Sequence, residues 1–187
     1  MEIFDCYHGT DGHFADIIIK EKKFNISEKE SEWAGSGIYF FISDDDSVQA
    51  KANALKWARR NRTFSSPTIL RATVKIENKK IFDLRKAYDQ SVFEYYSEAY
   101  FRKAATRGAT DPRIRSLLED ASKLDCFIIN KICDEYCYKV VIKQSHIIFE
   151  SITINGFKFT KSFVSNSTIF CLRDSQYITD LEECSYG

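Results

Sequence analysis

Two stretches of the chain set glycine beside a side chain able to do chemistry: "CYHGT" at 6–10 and "WAGSGIYFF" at 33–41. In the first, His8 is a ring that donates or accepts a hydrogen bond in its neutral form. Gly9 has no side chain, so its backbone can approach a ligand closely and use both N–H and C=O. A planar amide needs one donor and one acceptor at fixed spacing, which one such residue supplies, with His8 in reach of a ligand hydroxyl. In the second, the glycines remove bulk where a flat ring could slide in, and the face of Tyr39 suits stacking on a heteroaromatic ring. Each residue alone also fits a packing role. Together the two sites read as a clamp.

The clamp needs elements to hold it. Residues 2–8 read as a strand, and "HFADIIIKEK" (13–22) as a helix with Phe14, Ile17 and Ile18 on one face. "GIYFFI" (37–42) is a buried strand, after which Ser43 or Asp44 is placed to cap the helix "DDSVQAKANALKWARRNR". The cations closing that helix complement its dipole. Strands are expected at 67–76 and 80–84, then a helix over 86–107 with Val92, Tyr96 and Tyr100 on one face. A second helix opens with Asp111 as N-cap and Pro112 at N1, and its apolar residues recur at three and four from Ile114 to Ile132. Strands return at 138–143, 146–152, 156–159 and 168–174. Helices and strands do not alternate as in a doubly wound fold, so the class is α+β, with 1–187 as a single domain.

Lysine plus arginine and aspartate plus glutamate both number 27, so no global field demands a polyanionic partner. Local cationic candidates remain at Arg59, Arg60, Arg62, Arg102, Lys103 and Arg107. The first residues lack the basic and apolar regions of a signal peptide, and no apolar run approaches the roughly 20 residues that cross a bilayer. Six cysteines without export signals read as reduced core residues; Cys133 and Cys137 stand four apart on a helix, but no second Cys/His pair with zinc spacing accompanies them. The expectation is a cytoplasmic protein with no metal and no membrane partner.

"YHGT", then a helix, then "WAGSGIYFF" with an alanine-rich helix behind it, resembles the catalytic domain of ADP-ribosyltransferases of the diphtheria-toxin and poly(ADP-ribose) polymerase type. The match covers residues 6–60; beyond them it is one of element order. The resemblance implies two packed, mostly antiparallel sheets with flanking helices and an NAD cleft. It implies that His8 binds the nicotinamide ribose, that the Gly9 backbone grips the carboxamide and that Tyr39, after Gly37, stacks on nicotinamide. Thr10 is then the polar contact towards adenosine, and Trp57 a wall of the pocket or a core residue. The family's late-strand glutamate is not matched: "STIFCLRDSQYI" puts Ile169 there, with Ser167 and Thr168 the nearest polar residues. Glu150 is the first candidate to substitute, ahead of Glu94 and Glu98; Asp83 reads better as a helix cap. The implied activity is transfer of a single ADP-ribose from NAD to a macromolecule, nucleic acid favoured over protein, with release of nicotinamide. Such a chain would serve as a toxin or effector of a toxin–antitoxin or phage-defence system, with an antitoxin as a further partner. The alternative is an inactive NAD- or ADP-ribose-binding module.

Overall fold

A computed structural model describes residues 1–44, 47–107, 112–149, 152–154, 157–159 and 165–184. The strands are β1 (Glu2–Asp11), β2 (Ile38–Ile42), β3 (Pro67–Ile76), β4 (Ile81–Asp83), β5 (Val140–Ser145), β6 (Ile152–Ile154), β7 (Phe157–Phe159), β8 (Ser167–Leu172) and β9 (Ile178–Cys184). The helices are α1 (Gly12–Glu21), α2 (Ser47–Arg60), α3 (Ala87–Arg107), α4 (Pro112–Leu118) and α5 (Ala121–Tyr136). The α+β class stands. Seven strands form one mixed sheet in the order β4-β5-β8-β2-β1-β3-β9, with β4 and β5 parallel and the other neighbours antiparallel. β6 and β7 form a separate two-stranded ribbon.

β2 (IYFFI) and Ile169–Leu172 of β8 are apolar throughout because both faces of the sheet are covered there. Alternate residues point to opposite faces. Tyr7, Phe41, Val141, Ile169 and Cys171 pack into a core with Ala54 of α2 and Ile128, Ile129 and Ile132 of α5. Cys6, Phe40, Ile142 and Phe170 face the other way, towards Ala15 of α1 and Phe24. Helices cover the seven-stranded sheet, α2 and α5 on one face and α1 on the other. That sheet has a weak seam. β1 pairs with β3 along ten residues from Glu2↔Ile76 to Asp11↔Pro67, but with β2 only at Tyr7↔Phe41. Beyond this pair the two strands diverge, and His8 and Tyr39 lie at the divergence.

Several element ends differ from the expectations. β1 runs on to Asp11, whose carboxylate caps α1 by accepting from the His13 amide at 3.2 Å. α2 is described from Ser47, and Asp44 pairs with Arg85 at 2.6 and 2.8 Å. The expected long helix is two, because Asp120 accepts from the amides of Ser122 (2.9 Å) and Lys123 (3.2 Å) and starts α5 anew. Asp111 lies outside the described residues. Residues 146–149 are not a strand: the side-chain amide of Asn166 donates to Ile147 O (2.8 Å) and accepts from Ile147 N (2.9 Å), doing the work of a neighbouring strand. β9 was not expected at all. Among the described residues no helix is long and apolar enough to cross a membrane.

Candidate active site

The divergence of β1 and β2 opens a cleft of about 260 Å³ lined by His8 and Gly9, by Gly37, Tyr39, Phe40 and Phe41, by Trp57 of α2 and by Ile169 of β8. The stretch 22–37 between α1 and β2 closes one side with Asn25, Ser27, Lys29, Glu32 and Trp33. A second lobe of about 380 Å³ shares His8, Gly9 and Trp57 and continues past Thr10 to Arg60, Asn61 and Phe64. Thus His8, Gly9, Thr10, Gly37, Tyr39, Trp57 and Ile169, all singled out in the sequence, line one two-lobed depression. Glu150 lies outside the described residues.

His8 is locked in orientation. Its Nδ1 is 2.8 Å from the carbonyl oxygen of Tyr39, and its ring stands edge-on to Phe24 and Phe40 at 5.3 and 5.7 Å. A carbonyl only accepts, so Nδ1 carries the proton and Nε2 is left as an acceptor. Burial pulls the pKa of His8 below its ordinary value, and the bond to Tyr39 only partly opposes this. The ring is neutral at pH 7.

Tyr39 is held at its far end. Its hydroxyl accepts from the Ala34 amide (2.9 Å) and donates to the Gly35 carbonyl (2.5 Å). Burial, reinforced by the nearby Cys171 thiol, pushes the phenol pKa far up, so it stays protonated. The Ala34–Gly37 turn is anchored in its own right. Asn130 of α5 accepts from the Ser36 amide at 2.8 Å, and Arg173 donates to Asn130 at 2.6 Å and to Asp134 at 2.9 Å.

The glycines have packing reasons beyond ligand access. A Cβ on Gly9 would lie 1.9 Å from the Ala54 carbonyl oxygen, so α2 rests directly on β1 at this point. A Cβ on Gly37 would lie 2.4 Å from Cys171 Sγ and 2.9 Å from Leu172 O on β8. Trp57 is a cleft wall, not a core residue: it is 37% exposed and meets Trp33 edge to face at 5.4 Å. The Arg60 guanidinium lies over the Trp57 ring at 5.6 Å.

Other expected candidates go elsewhere. Ile169 is 1% exposed in the floor beside Phe41, whereas Ser167 and Thr168 line a different depression with Asn53 and Asn166. Glu98 pairs with Arg102 on the exposed side of α3. Asp83 is clasped by Arg85 through Nε and Nη2, both at 2.9 Å. Tyr96 and Tyr100 of α3 pack against the core, as an aromatic stripe would.

Glu32 was missed. It is a carboxylate lining the same cleft, supplied by the stretch 22–37, and its Oε1 accepts a short hydrogen bond from the Ser27 hydroxyl. The available signal was the connection itself, far longer than the roughly 4–6 residues of an ordinary one and charged around a tryptophan.

The uncharacterized protein MJ0359 of Methanocaldococcus jannaschii is 33% identical over 93 residues, which cover 47% of this chain and 40% of that protein. The chain thus spans well under two thirds of that relative's length. No family model and no solved structure matches the chain.

Proposed function

We propose that the cleft binds NAD and that the protein is a mono-ADP-ribosyltransferase on an ADP-ribosyltransferase-like fold, moving ADP-ribose to a macromolecule and releasing nicotinamide. One observation carries the reading: His8 and Tyr39, 31 positions apart, are bonded to each other at the single seam of the sheet and line one cleft with Gly9. The residues present suit the substrate. Tyr39, Trp33 and Trp57 offer aromatic faces, and Nε2 of His8 offers an acceptor for a ribose hydroxyl. The second lobe, with Thr10, Asn61 and Phe64, suits the adenosine end, and Arg60 supplies charge for the diphosphate. Two lobes meeting at His8, Gly9 and Trp57 match a ligand with a flat ring at each end. Holding substrate and acceptor in a reactive geometry is worth on the order of 7–11 kcal/mol.

Arg59, Arg60 and Arg62 are exposed at the end of α2 beside Trp57 and Phe64, a combination that favours single-stranded nucleic acid as acceptor. Service as a toxin or defence effector in the cytoplasm, restrained by an antitoxin, belongs to the same reading by analogy. A second reading, an inactive NAD- or ADP-ribose-binding module, is favoured by the buried Ile169 in the cleft floor. Incubation with NAD labelled in its adenylate phosphate and with cell lysate, followed by protease or nuclease, separates the two. The transferase releases nicotinamide and leaves label that one of the digestions removes. Saturable NAD binding without nicotinamide release establishes the binding module instead, and absence of binding overturns both.

A further inference from the structure

We propose that Glu32 is the catalytic carboxylate of this cleft, reaching the reacting ribose from the loop between α1 and β2. The inference rests on the NAD reading above. Breaking the bond between the ribose C1′ and nicotinamide sends the bonding electron pair out with nicotinamide and leaves positive charge on C1′ and the ring oxygen. The acceptor oxygen then bonds to C1′ and gives its proton to solvent. A negative group fixed near the sugar lowers the barrier to this charge development. The strand positions in the cleft floor cannot provide one, since Ile169 and Phe41 are hydrocarbon.

Glu32 provides it, and its placement is built. The loop is tied to the start of β2 by paired backbone bonds between Ser27 and Gly37, at 2.9 and 3.0 Å. The Ser27 hydroxyl, on that tie, donates to Oε1 of Glu32 and orients the side chain. Glu32 Oε2 receives no hydrogen bond among the described residues. The carboxylate is close enough to the clamp to be one of the charges raising the pKa values of the Tyr39 phenol and the Cys171 thiol. The carboxylate is therefore held from the same strand start that carries Tyr39, so loop and stacking platform keep a fixed relation.

Two measurements on Glu32→Gln and Glu32→Ala test this. NAD affinity is read from the fluorescence of Trp33 and Trp57, both in the cleft, and nicotinamide release is read directly. The proposal expects the release rate to fall by about 100-fold, as for loss of one transition-state stabiliser, with the dissociation constant changed less than about threefold. Ser27→Ala gives a smaller loss of the same kind, and added formate restores part of the rate to Glu32→Ala, which a purely structural role would not allow. Wild-type rates in Glu32→Gln overturn the proposal. Wild-type protein that binds NAD but releases no nicotinamide overturns it too, while leaving the ligand of the cleft in place. Wild-type protein that binds no NAD overturns the reading of the cleft itself.

Discussion

Replacing Gly9 with alanine tests how the cleft is assembled. The added Cβ would stand 1.9 Å from the carbonyl oxygen of Ala54 and 2.8 Å from its carbon, where ordinary contact begins at 3.4 Å. The clash is with helix backbone, which no side-chain rotation can move. α2 must withdraw by about 1.5 Å at Ala54, or β1 must bend away by as much. Overpacking of this kind costs about 2–3 kcal/mol, which for a domain of this size lowers Tm by roughly 5–10 °C. The functional consequence is more specific than the loss of stability. α2 carries Trp57 and Arg60, so its retreat widens both lobes where they join. Misplacement on the order of 1 Å can cost 100-fold in a positioned reaction, so NAD affinity or turnover should fall at least tenfold at temperatures where the variant stays folded. Urea denaturation and thermal melting read the first effect, and NAD titration at 15 °C the second. A Gly9→Ala protein with unchanged Tm and unchanged NAD affinity would refute this packing of α2 on β1.

Tyr39→Phe keeps the ring but removes the partner of the Ala34 amide and the Gly35 carbonyl, so it should cost about 2 kcal/mol in urea denaturation. Its NAD affinity should stay within a few-fold of wild type, whereas Tyr39→Ala, which loses the stacking face, should bind at least tenfold more weakly. Arg85→Met leaves the Asp83 carboxylate, 4% exposed, with only the more distant Lys86 at 3.9 Å, and should lose about 3 kcal/mol of stability at pH 7. Because burial lowers the pKa of His8 in the folded protein below its unfolded 6.5, the unfolded chain binds the extra proton. The stability held by the neutral ring is present above pH 6.5 and lost as pH falls from there through the folded value. In His8→Asn the slope of unfolding free energy against pH should be shallower across this window.

The sequence made the clamp residues legible because local chemistry marks them: a histidine before glycine, and a tyrosine after a glycine pair in an apolar strand. It did not show why those glycines are there, since the carbonyl of Ala54 and the thiol of Cys171 arrive from distant segments. The break between α4 and α5 was hidden because Leu117, Leu118, Ala121 and Leu124 continue the helical periodicity across it, with Asp120 as the one local sign. β9 escaped because "ITDLEEC" shows little alternation at its place on the edge of the sheet. Trp57, which the sequence leaves open between pocket wall and core, is set beside the cleft by the turn of α2 that also brings Arg60 over it. Glu32 was beyond local pattern, because its position depends on the Ser27–Gly37 tie and on where β1 leaves β2.

Recognition of NAD by this cleft has a built-in reporter, because both tryptophans of the chain, Trp33 and Trp57, line it. Titrating NAD while following tryptophan fluorescence is therefore the most direct test. A saturable change is expected, shifted to at least tenfold higher NAD in Tyr39→Ala. Fluorescence that does not respond to millimolar NAD, or responds equally in Tyr39→Ala, would contradict it.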